Sequence, residues 1–139
     1  MRRALRNVRE GRMQRSLALV TAASALPLGV EIWFEHYRGS FGDKWMWTPI
    51  VLTPPLVAAG AAGAVSPRVA RTVLPAVSVL YAADGLAGVV THLRGVARKP
   101  GGLREPLYNV VMGPPLLAPG SLVLVGALGM LAAASRRER

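Results

Sequence analysis

Four long apolar stretches, separated and flanked by short segments that carry nearly all of the cations, constrain this chain more than any motif does. The first runs from Ser16 to Tyr37, the second from Trp45 to Val65, the third from Ala70 to Leu93 and the fourth from Leu107 to Ser135. An apolar run of about 20 residues crosses the roughly 30 Å hydrocarbon core of a bilayer as one helix. Within that core each backbone donor and acceptor must find its partner inside the segment, which selects the helix. The expected fold is therefore all-α, with four transmembrane helices over 16–135. A basic arm over 1–15 and a basic tail over 136–139 flank it.

A net charge of +10, from 17 Lys+Arg against 7 Asp+Glu, is also what a nucleic-acid binder carries. Here the cations punctuate apolar runs instead of forming a face, so the expected partner is the lipid bilayer and not nucleic acid. Charged residues make up 17% of the chain, below the roughly 25% of soluble domains. With no cysteine, disulfides, iron–sulfur clusters, thiolate zinc and covalently attached haem are excluded. No Gly-x-Ser-x-Gly setting or phosphate-binding glycine loop occurs, and nothing else points to an enzyme.

Cation placement sets an expected orientation. Arg2, Arg3, Arg6, Arg9, Arg12 and Arg15 precede the first stretch, Arg68 and Arg71 follow the second, and Arg136, Arg137 and Arg139 follow the fourth. Against these stand Arg38, Lys44, Arg94, Arg98, Lys99 and Arg104 on the other side. The positive-inside rule then puts both termini in the cytoplasm, as in a multi-pass protein of a bacterial plasma (inner) membrane. Ala23-Ser24-Ala25 imitates a signal-peptide cleavage site, but apolar sequence continues past it to Phe34.

The chain reads as two similar halves. His36-Tyr37-Arg38-Gly39 ends the first stretch and His92-Leu93-Arg94-Gly95 the third; Pro54-Pro55-Leu56 lies in the second and Pro114-Pro115-Leu116 in the fourth. This order predicts a duplicated hairpin, its two copies related by a pseudo-two-fold axis along the membrane normal, as in parallel repeats. The fourth stretch is too long for one straight span, and a break is expected at Gly113-Pro114-Pro115.

Ionisable side chains inside a span cost roughly 2.5–3.5 kcal/mol each at its centre and so mark candidate sites. Glu31, Glu35 and His36 lie toward the outer end of the first span, Asp84 and His92 on the third. Helical spacing puts Glu31 and Glu35 on one face, and Asp84 and His92 on another. These five are the expected cofactor- or ion-binding residues, converging beneath the outer surface, with Arg38 and Arg94 at the mouth to meet anions or propionates. Several chemistries suit them: haem b between His36 and His92, a divalent metal on the carboxylates and imidazoles, or a proton, quinone or lipid head group. The alternative is an anchor or assembly subunit without a ligand, in a membrane complex or a homo-oligomer. Trp33, Phe34, Tyr37, Phe41, Trp45 and Trp47 form an interfacial aromatic belt or stack on a ring cofactor. Tyr108 and Asn109 are placed to face His92.

Overall fold

The computed structural model describes residues 12–135 and Arg137; the rest of the basic arm and tail, 1–11, 136, 138 and 139, lies outside these. Among the described residues there are helices and no strands. Helix α1 covers Met13–Arg38. A 3-10 turn over Lys44–Trp47 leads into α2, Thr48–Val65. After the short α3, Pro67–Arg71, come α4, Val73–Ala97, α5, Pro106–Val111, and α6, Leu117–Ala134. Four helices are long and apolar enough to cross a membrane: α1, α2 with its leading turn, α4 and α6. The architecture is that of a multi-pass integral membrane protein.

Local signals explain the ends of these elements. Asp43 accepts a hydrogen bond from the Trp45 amide, 2.9 Å, and starts the 3-10 turn. Ser66 accepts from the Val69 amide and starts α3, whose first residue is Pro67; a proline there gives up no intrahelical bond. Pro54 and Pro55 are accommodated inside α2, which continues through both. The fourth stretch is broken where the sequence predicts: α5 stops at Val111, the chain passes Gly113-Pro114-Pro115 without regular structure, and α6 begins at Leu117.

The spanning helices pack as a ring, α1 on α2, α2 on α4, α4 on α6 and α6 back on α1. Ala18, Ala25, Leu56, Leu74, Tyr81 and Ala132 are buried in its core. The outward faces carry Leu19, Leu26, Val51, Leu80, Leu86 and Leu124, all more than half exposed, a surface suited to lipid and not to water.

Glycines set the closest approaches. A Cβ at Gly60 would stand 2.8 Å from the Ala18 carbonyl oxygen and 3.0 Å from the Ala22 amide nitrogen. One at Gly126 would stand 2.7 Å from the Ser78 carbonyl oxygen and 2.9 Å from the Ala82 amide nitrogen. In both hairpins backbone lies on backbone, as small residues in membrane helices permit. Burial follows the same pattern. Gln14, Ala18, Thr21, Ala22 and Ala25 are buried on α1, and on α4, each sixty positions later, Leu74, Ser78, Tyr81, Ala82 and Gly85. Thr53, Leu56, Ala59, Gly60 and Gly63 on α2 are matched sixty-six positions later by Pro119, Leu122, Val125, Gly126 and Gly129 on α6.

Candidate functional site

The interior between α1, α2 and α4 carries polar groups toward the end of the bundle where α2 begins. Asp84, half-buried on α4, meets Thr48 at the start of α2, with Thr48 Oγ1 2.5 Å from Asp84 Oδ1. The same hydroxyl lies 2.8 Å from the Trp45 carbonyl oxygen. One turn from Asp84, the fully buried Tyr81 places its hydroxyl 3.2 Å from Thr53 Oγ1. Thr53 donates to the Pro49 carbonyl at 2.7 Å, so Tyr81 is the donor of the pair.

His36 Nδ1 lies 2.7 Å from the Met46 carbonyl oxygen, and His92 Nδ1 2.6 Å from that of Pro115. A carbonyl only accepts, so each Nδ1 carries the hydrogen and the Nε2 of a neutral ring is left as the acceptor. His36 is within electrostatic reach of His92, Asp84 and Glu35. The structure thus sets Asp84 against Thr48, His36 against Met46 and His92 against Pro115. Glu35 is also paired with Arg38 across 2.7 Å.

Glu31 does not join them, because its position on α1 turns it outward and leaves it exposed. Arg94 is exposed on the last turn of α4. Asn109 is fully buried, but it serves the loop beside it, donating to the Pro100 and Gly102 carbonyls at 3.0 and 2.7 Å. Tyr108 stands exposed.

Among the described residues no three His, Asp or Glu side chains gather closely enough to hold a metal ion. The divalent-metal reading therefore has no ligand set here, and the geometry lends haem no support. The aromatic residues stack on one another: Phe41 on Trp47 at 4.1 Å, Trp33 on Tyr37 at 5.2 Å. A groove of about 240 Å³ between α1 and α2, lined by Gly29, Trp33, Thr53 and Pro54 among others, is almost wholly apolar and opens on the bundle's outer surface.

Sequence reasoning missed the buried neutral polar residues Gln14, Thr21, Thr53 and Ser78. Gln14, Ala18, Thr21 and Ala25 fall at helical spacing on one face, but the spans are apolar on every side, so this spacing does not single that face out. Comparison of the chain with protein-family models, curated proteins and solved structures finds no match.

Proposed function

We propose that this protein binds an ion within its outer half, and that the ion is a proton shared among Asp84, Thr48 and His36. The carrying observation is the number of hydrogens at Thr48. Its hydroxyl has one, yet it faces both the Trp45 carbonyl and the Asp84 carboxyl at hydrogen-bonding distance. Both contacts are satisfied together only when Asp84 is protonated and donates to Thr48, which then donates to Trp45. Loss of that proton turns the hydroxyl to the carboxylate and leaves the Trp45 carbonyl with the Thr48 amide as its donor. His36 holds the same turn through Met46 and offers its Nε2 as a second proton acceptor.

Among the described residues, few titratable groups act on Asp84. They are His36 from α1 and Tyr81 from its own helix, with His92 and Glu35 acting on His36. Neither α2 nor α6 contains a titratable side chain. Arg38 and Arg94 would draw anions to the rim. The test is the fluorescence of Trp45 and Trp47 in reconstituted protein, followed from acid to alkaline pH. Wild type is expected to titrate, Glu31→Gln to titrate unchanged, and Asp84→Asn to lose the transition. A transition that survives Asp84→Asn combined with His36→Gln ends this reading.

A second reading, a subunit of a membrane assembly or homo-oligomer, rests on Glu31. This exposed carboxylate lies seven residues before the end of α1, roughly 10 Å down the helix. Facing lipid there is unfavourable unless a neighbour in the membrane supplies a donor or cation.

We infer also that the bundle is a duplicated hairpin, with its pseudo-two-fold along the membrane normal. The burial and glycine patterns support offsets of sixty and sixty-six, in place of the fifty-six and sixty given by the His-x-Arg-Gly and Pro-Pro-Leu motifs. In the new register Val96 answers to His36 and Ile32 to His92, so the two imidazoles are not counterparts. Both termini are placed at the cytoplasmic face of a bacterial plasma membrane, a placement supported by the bias of the cations.

A further inference from the structure

The outer connections of the two hairpins differ in charge and build. In the first, Arg38 is paired with Glu35 and Lys44 is close to Asp43 in sequence. In the second, Arg94, Arg98, Lys99 and Arg104 are accompanied by one carboxylate, Glu105. Among the described residues none of these four cations forms an ion pair; the pair at this end of the bundle is Arg38 with Glu35.

This second connection is also held in shape. Asn109 fastens the Pro100 and Gly102 carbonyls. Gly101 and Gly102 take positive φ, +80° and +50°, which glycine adopts without strain. Gly113 approaches so closely that a Cβ would collide with the Asn109 carbonyl oxygen and stand 3.2 Å from Val96 Cγ2. Beside this fixed turn Leu103, Leu107, Tyr108, Val111 and Met112 are each at least 60% exposed. They belong to no spanning helix, and no part of the described chain covers them.

Depth identifies the layer they occupy. Helix α4 has 25 residues, roughly 37 Å of helix against a hydrocarbon core of about 30 Å. Its last turn therefore emerges among head groups, with Arg94 on it and Arg98 and Lys99 just beyond. We propose that the connection from Arg94 to Met112 is a seat for anionic phospholipid, such as phosphatidylglycerol. Leu107, Tyr108 and Val111 lie against acyl chains, and Arg98, Lys99 and Arg104 meet the phosphate. Amphipathic elements with cations at their polar edge bind anionic membranes in this way. The seat is separate from the Asp84 region and does not depend on the proton reading.

The full-length protein in zwitterionic detergent, titrated with phosphatidylglycerol or phosphatidylcholine and read by native mass spectrometry, tests this. Phosphatidylglycerol is expected to be retained over phosphatidylcholine, and free inorganic phosphate is not expected to displace it. Each of Arg98→Gln, Lys99→Gln and Arg104→Gln should weaken retention about fivefold. Leu107→Ser with Val111→Ser should weaken retention with the charge unchanged. Arg68→Gln with Arg71→Gln, at the opposite end, should leave the Arg98-dependent part intact. Equal retention of the two lipids overturns the proposal, as does undiminished phosphatidylglycerol binding in the triple glutamine variant.

Discussion

Tyr81 is the largest fully buried side chain among the described residues, and its hydroxyl joins the two hairpins by one hydrogen bond to Thr53. The phenylalanine variant keeps the ring and removes that bond, so Tyr81→Phe should lower stability by about 0.5–1.5 kcal/mol. Tyr81→Ala, which also opens a cavity, should lower it by about 3–5 kcal/mol. Denaturant titration in mixed micelles separates the two, and equal losses would show that the hydroxyl carries the whole effect. Asp84 stands out in the sequence because a carboxyl at that depth is costly. Tyr81, Thr53 and Thr21 do not, because neutral polar groups are tolerated in a span and the spans are apolar on every side. Where a helix is hydrophobic all round, its pattern does not reveal which face is inward.

The glycine contacts make a sharper prediction between elements than within them. Gly60→Ala and Gly126→Ala each push a methyl group onto the facing backbone and should destabilise the bundle by about 1–3 kcal/mol. Gly120, also helical, has nothing within 4 Å of its missing Cβ. Gly120→Ala should leave stability unchanged or raise it by as much as about 1 kcal/mol. Helix α2 has a further dependence. Arg137 donates to the carbonyls of Gly63, Ala64 and Val65 at 3.0, 2.8 and 3.1 Å, capping the end where the helix dipole is negative. Arg137→Ala should cost about 1 kcal/mol, and Arg137→Lys should restore only part of it, because an ammonium lacks the fork that spans several carbonyls. Thermal unfolding of the variants in micelles checks both series. The break before α6 was legible, since a stretch from Leu107 to Ser135 exceeds one span and contains Gly113-Pro114-Pro115. The Arg137 cap was not, because it joins residues more than seventy positions apart.

For the molecule as a whole, alternating spans require the Arg98 and Arg68 loops to lie on opposite sides of the membrane. Single cysteines at these positions, on a background that has none, should react with an impermeant maleimide from opposite faces of sealed vesicles. Labelling of both from one face would contradict the four-span arrangement. The four spans could be read from the sequence because hydrocarbon thickness fixes their length. The order of the helices around the ring could not, since helix contacts depend on where small residues meet.

One bond closes that ring. Gln14 Nε2 donates to the Ser135 carbonyl at 3.1 Å, so the start of α1 and the end of α6 meet at one end of the bundle. A linker joining them, with the chain opened instead between α2 and α4, would give a circular permutant in which the second hairpin is synthesised first. The helix contacts would be unchanged, and the permutant should insert and assemble into the same bundle.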